Sequence, residues 1–187
     1  MVSRAALLVM DVQVGPVQTH AAEGYVENLK RAIEAARRAD TAAIYVKAEF
    51  RPGYPEVSSR SRVYSAVAAT GSLVDGDPGL PFHPAIAPRS SDIVVTKRRT
   101  SGFSGSDLDI VLRSLQIDTL VLTGVRTSGV VEATLRDAVD RDYSVVTLSD
   151  GCADVDEDLH KVLLEKICAR YGDVMTIDAW IDQIAGP

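Results

Sequence analysis

The sequence predicts an α/β fold, a three-layer α/β/α sandwich around a six-stranded parallel sheet. Three observations predict it. Six short segments are apolar without period-two alternation, as expected of strands buried on both faces. Segments with helical apolar spacing separate them, which calls for right-handed crossover connections. Asp11, Lys97 and the turn Arg126–Val130, three chemically unlike groups, all stand at carboxyl ends of strands. That is the edge where ligands bind in such sheets.

The first strand is Ala5–Met10, and Asp11 ends it. The next segment, VQVGPVQTHAAEG, reads as a turn because Gly15 and Pro16 interrupt a helix. With no helix for Asp11 to cap, its carboxylate reads as site chemistry. Tyr25–Ala39 is helical, with Val26, Leu29, Ile33 and Ala36 on one face. Ala42–Lys47 is the second strand. Residues 48–91 form a long irregular stretch holding most of the prolines, and loops of that length usually serve function. Within it Phe50, Arg51 and Tyr54 are candidates to wall a pocket; the alternative is that they pack the loop or an oligomer interface. A short helix is expected over Arg62–Ala69.

Asp92–Thr96 is the third strand, ended by Lys97, and RRTSGFSG is a turn. A helix over Ser106–Leu115 follows, with Ser106 as its cap. Asp118–Val125 is the fourth strand. After it the turn RTSG leads into a helix whose stripe is Val131, Leu135, Ala138 and Val139. Unpaired N–H groups at such a helix start form a cradle for an anion or a developing oxyanion. Ser144–Leu148 is the fifth strand, Asp150–Asp154 the turn after it, and Asp156–Ala169 a helix. Asp173–Ile177 is the sixth strand, and a terminal helix runs through Ile184.

A chain of 187 residues suits a single domain, residues 1–187. Its 46% hydrophobic and 25% charged residues are those of an ordinary globular protein. A net charge of −6 argues against nucleic acid. The apolar run near the N-terminus is too short to span a membrane and lacks a signal-peptide cleavage site, so a cytoplasmic protein with no membrane partner is expected. Cys152 and Cys168 are too few for a disulfide framework. His20, His83 and His160 stand singly, so no metal-ligand spacing arises. DVQVGP is not a dinucleotide fingerprint, and no phosphate-binding loop occurs. No cofactor is expected. The run Lys97-Arg98-Arg99 is either a solvated surface stretch or an anion-facing loop, and the strand before it favours the latter for Lys97 alone.

The stretches LLVMDVQ, FRPGYP, VVTKRRTSGFSGSDLD, LVLTGVRTSGVVEATLRDA and LSDGCAD together resemble the isochorismatase-like (cysteine hydrolase) superfamily across nearly the whole chain. The resemblance implies a Rossmann-like, isochorismatase-like hydrolase fold with strand order 3-2-1-4-5-6. It implies a triad whose Asp aligns with Asp11, whose Lys aligns with Lys97 and whose Cys falls on Val130. It also implies a non-proline cis peptide between Val125 and Arg126, and an oxyanion hole made by the backbone N–H groups of Arg126 and Val130. A homo-oligomer acting on a small-molecule substrate is implied as well. The metal-binding Asp-x-His element of the nicotinamidases is missing.

Valine cannot attack a carbonyl, and thioester-forming amide hydrolysis needs a thiolate. Cys152, after strand five, and Cys168, on a late helix, read as structural thiols. Asp11 and Lys97 can still act as an acid–base pair without a covalent step. Isochorismatases proper resemble this arrangement. They lack the nucleophile, and an Asp protonates the enol-ether carbon of the substrate. The first reading is therefore vinyl-ether hydrolysis, with Asp11 as general acid and Lys97 as charge partner. A second is water-mediated hydrolysis of a small amide or ureide. A third is a catalytically silent binding or scaffold protein, against which the retention of two charges at one apolar edge speaks. A pocket of Phe50, Tyr54 and Phe103, with Arg51 or Lys97 meeting a charge, would suit a small cyclic or aromatic acid. Thr127 and Ser128 are close enough in sequence to line it. Glu132 reads as a solvated helix position.

Overall fold

The alternation of buried faces explains why the strands are apolar throughout. In the computed structural model, which describes residues 4–185, β1 (Ala5–Met10) has a helix layer on each side. Leu8 and Met10 face one layer, and Leu7 and Val9 face the other. All four are fully buried. Each such side chain contributes roughly 1.5–3 kcal/mol by leaving water.

The elements follow one another as α1 (Val14–His20), α2 (Tyr25–Arg38), β2 (Ala42–Ala48), α3 (Arg62–Thr70), β3 (Ile93–Lys97), α4 (Leu108–Ser114), β4 (Thr119–Val125), α5 (Glu132–Val139), β5 (Ser144–Ala153), α6 (Glu157–Val162), α7 (Ala169–Tyr171), β6 (Asp173–Met175) and α8 (Ile177–Ala185). Wide π-type turns, Thr127–Val131 and Leu163–Cys168, precede α5 and α7. The sheet is parallel and six-stranded, ordered β3-β2-β1-β4-β5-β6. The winding reverses between β1 and β4, where Met10 is level with Gly124. Leu108, Leu112 and Leu135 from α4 and α5 cover one face; Leu29 and Ile33 from α2 and Trp180 from α8 cover the other. The expected single domain extends by three residues at the start and two at the end beyond the described residues.

Three local expectations are corrected. The segment after Asp11 contains the helix α1, which Gly15 and Pro16 do not prevent. Pro16 lies in the first turn, where its missing N–H has no partner to lose. The two N–H groups before it, from Val14 and Gly15, bond the carbonyls of Pro81 and Gly79 in the long loop. Asp150–Ala153 is not a turn but the end of β5. Thr147 pairs with Leu122 and Cys152 with Gly124, so β5 carries a bulge beside the reversal point. Ser106 does not open α4, which starts at Leu108, although its hydroxyl accepts the Leu108 N–H at 3.2 Å.

Candidate active site

A cavity of about 420 Å³ opens over the carboxyl ends of β1 to β4. At its floor Asp11 follows β1 with φ +53°, a left-handed conformation that Asp tolerates better than most residues. Its N–H bonds the Val46 carbonyl at 2.8 Å, which ties it to the end of β2. Lys97 reaches over that end from β3, and its Nζ meets Asp11 Oδ2 at 2.9 Å and donates to the Arg99 carbonyl at 3.0 Å. Lys97 is 3% exposed. The second carboxylate oxygen, Oδ1, is buried without a hydrogen-bond partner among the described residues. Burial pushes the Asp11 carboxyl above its ordinary range, and the Lys97 charge pulls against it.

Gln13, which the sequence reading left without a role, sets this floor. It is fully buried. Its Oε1 accepts the Ala48 N–H at 2.9 Å, and its Nε2 donates to the carbonyls of Ala48 (3.0 Å) and Leu80 (2.8 Å). One side chain thus fastens the end of β1 to β2 and to the long loop. Its place two residues after Asp11 in LLVMDVQ was the available signal.

The turn after β4 forms the facing wall. Gly124 has φ +146°, and a Cβ there would lie 2.4 Å from the Met10 carbonyl oxygen, so only glycine lets β4 approach β1 at the site. The Val125–Arg126 peptide is cis. Arg126, Ser128, Gly129 and Val130 all line the cavity. The Ser128 N–H donates to Asp154 Oδ2 at 2.8 Å. Against burial, which pushes it up, this contact with Ser128 holds the Asp154 carboxyl below its ordinary range. Thr127 is fully buried and turned away, its Oγ1 2.7 Å from His160 Nδ1. It stabilises the turn and is not among the residues lining the cavity.

The opposite wall comes from the long loop and α3. Phe50 is buried there and joins Val63, Tyr64, Val67 and Leu73 in lining the cavity. Arg51 and Tyr54 do not line it. Arg51 is an exposed side chain paired with Glu56 at 2.5 Å. Tyr54 packs behind Phe50, with centroids 5.7 Å apart, and its hydroxyl donates to the Ser72 carbonyl at 2.7 Å. Phe103 belongs to the core instead, stacked on Tyr143 at 6.0 Å and under the Arg141 guanidinium at 4.6 Å. Arg98 and Arg99 are neither a solvated run nor open to an anion. Arg98 Nε pairs with Glu56 Oε1 at 2.8 Å. Arg99 Nη2 donates to the Glu56 carbonyl at 2.8 Å and lies 5.2 Å above the Tyr64 ring. Glu132 pairs with Arg136 along its own helix.

Neither cysteine lines this cavity. Cys152 faces a separate space shared with Tyr25 and His160, and burial pushes its thiol far above the ordinary range. Cys168 is fully buried in the core. Among the described residues no three His, Cys, Asp or Glu side chains are grouped to hold a metal ion, and no helix is long and apolar enough to cross a membrane.

Residues 5–179 match the family model of the isochorismatase domain. The chain is 29% identical over 181 residues to the isochorismatase family protein YwoC of Bacillus subtilis, covering 97% of this chain and 94% of that one. It is 30% identical over 175 residues to the ureidoacrylate amidohydrolase RutB of Methylobacterium radiotolerans, covering 87% and 68%. Among solved structures, a cysteine hydrolase from Pseudomonas syringae pv. phaseolicola superposes with a TM-score of 0.86 at 29% identity, covering 97% and 92%. The chain belongs to the isochorismatase family.

Proposed function

We propose that this isochorismatase-family chain is a hydrolase of a small anionic substrate that works without a covalent thioester. Asp11 carries and delivers the proton, and Lys97 is its charge partner. The observation that carries the reading is the state of Asp11. It sits at the cavity floor with one oxygen on Lys97 and the other unpartnered, while burial favours its protonated form. A carboxylic acid so held is suited to general-acid catalysis. The position that the family resemblance assigns to the nucleophile is Val130, which has no nucleophilic atom. Cys152 lies in another cavity with a thiol that resists ionisation, so it does not replace it.

Vinyl-ether hydrolysis fits these groups. Asp11 gives its proton to the enol-ether carbon, water adds to the resulting oxocarbenium ion, and the hemiketal breaks into a keto acid and an alcohol. Asp11 recovers its proton from the added water. The N–H groups of Arg126 and Val130 would steady oxygen-centred charge at the turn. A second reading, hydrolysis of an amide or ureide by water that Asp11 activates, is supported by the likeness to a ureidoacrylate amidohydrolase.

Purified protein incubated with isochorismate, and separately with small amides and ureides, separates the readings. Pyruvate release lost in Asp11→Ala supports the first, and ammonia release lost in the same variant supports the second. Turnover that survives Asp11→Ala would sink both. Silence in both assays would favour a binding protein that keeps the family pocket.

A further inference from the structure

The cavity holds more positive side chains than its floor needs. Lys97 is paired with Asp11 and Arg98 with Glu56, while Arg99 is held by the Glu56 backbone carbonyl and the Tyr64 ring. Arg126 also lines the cavity, from the turn after β4, and is exposed to it. Among the described residues its guanidinium makes no ion pair or hydrogen bond. Asp154, an acid whose ionisation it favours, accepts the Ser128 N–H. The sequence reading had given Arg126 only a backbone role.

A second feature shows that this side chain has a seat of its own. Gly129 lines the same cavity, and a Cβ built on it would lie 3.0 Å from Arg126 Cγ and 3.3 Å from Nε. The arginine stem lies across the bare face of the glycine. A Cβ at position 129 would press the stem outward by a few tenths of an ångström. The neighbouring cavity residue His20, whose Nδ1 has no hydrogen-bond partner among the described residues, has its pKa pushed down by burial and by Arg126, against the pull of Asp154. Facing this wall are the apolar side chains Phe50, Val63, Val67 and Leu73.

Resting on the hydrolase reading of the same cavity, we infer that Arg126, seated on Gly129, is the carboxylate anchor of the substrate. The substrate class is then a carboxylate with an apolar body. Its acid group forms the paired hydrogen bonds that a guanidinium offers a carboxylate. Its body lies against Phe50 and α3, and its reacting end comes over Asp11. Arg126 is a specificity-determining residue here, and Arg51, paired and exposed outside the cavity, is not.

Equilibrium binding tests this apart from turnover. Benzoate and benzamide, two probes of one shape that differ in charge, are titrated by calorimetry into the wild-type protein and into the Arg126→Gln, Arg126→Lys, Gly129→Ala and Arg51→Gln variants. The expected result is that wild type prefers benzoate by about tenfold or more, as a charge-assisted pair requires. Arg126→Gln loses most of that preference, Gly129→Ala and Arg126→Lys keep part of it, and Arg51→Gln keeps all of it. Circular dichroism verifies that each variant is folded. If Gly129→Ala fails to fold, Arg126→Gln alone decides. A wild type without preference for benzoate, including one that binds neither probe, overturns the proposal. So does a preference that survives Arg126→Gln. Turnover is read separately from binding: an intact benzoate preference in a wild type whose turnover survives Asp11→Ala, or that releases neither pyruvate nor ammonia, would leave the anchor standing while the hydrolase reading falls.

Discussion

The two walls of the cavity handle charge in opposite ways. On the β2–β3 side every charged group is committed. Lys97 holds Asp11, while Arg51, Arg98 and Arg99 converge on Glu56 from two separate loops. On the β4 side Arg126 stands without a hydrogen-bond or ion-pair partner among the described residues, over a glycine, beside a valine. A committed wall is a framework, because removing one member leaves another buried and uncompensated. An uncommitted wall can meet a ligand at little cost. The count of cations in a pocket thus says less about its substrate than which of them already hold partners within the protein.

The largest effect is expected when a member of the framework is removed. Lys97→Met leaves Asp11 buried without its partner, and unfolding in urea should show a loss of about 3–5 kcal/mol. The pH dependence should move as well. The Asp11 pKa is raised in the folded protein, so its acid form, and any step that uses it, is present below that pKa and is lost as pH rises through it. Since Lys97 lowers that pKa, Lys97→Met should carry the alkaline limb of the rate profile to higher pH. A limb that moves down would show that Asp11 is not the acid.

Gln13→Ala comes next. It strands the amide and carbonyl of Ala48 and the carbonyl of Leu80, and should cost about 2–4 kcal/mol in the same measurement. A loss under 1 kcal/mol would mean that water replaces the side chain and that Gln13 is no clamp.

On the other wall, Val130→Cys should leave stability within about 1.5 kcal/mol, since the two side chains are close in volume and position 130 packs against the core. If the site is otherwise that of a thiol hydrolase, ammonia release from small amides should appear or rise. If none appears, the wall has diverged further than one side chain. The smallest effect is expected of Arg51→Gln. Its side chain is exposed and Glu56 keeps Arg98, so a change within about 0.5 kcal/mol and no change in activity are expected.

Much of the site was legible because it is built at the ends of strands. Asp11 and Lys97 each interrupt an apolar run, and a polar residue in that place either caps something or faces a ligand. The candidate pocket-lining residues were less so. Phe50, Arg51 and Tyr54 are neighbours in sequence, yet only Phe50 points into the cavity. Tyr54 is held behind it by its hydroxyl bond to Ser72, and Arg51 is drawn out to Glu56. Phe103 looked like a pocket aromatic and is a core one, because its turn tucks under Arg141 and against Tyr143. Helix α1 was hidden by Pro16, whose place in the first turn depends on where the helix starts, and that start is set by bonds to Gly79 and Pro81 more than sixty residues away.

The sequence alone therefore determined the layers, the strands and the edge at which chemistry could gather. Those follow from local apolar runs and helical spacing, which are properties of neighbouring residues. It also determined that position 130 bears no nucleophile. Only the tertiary structure decided which charges are spent. Glu56 is brought to Arg98 and Arg99, Gln13 to Ala48 and Leu80, and Arg126 is left over Gly129 with its charge unused. Pairings of that kind join residues far apart in the chain, and they depend on the relative positions of strand ends that no local pattern encodes.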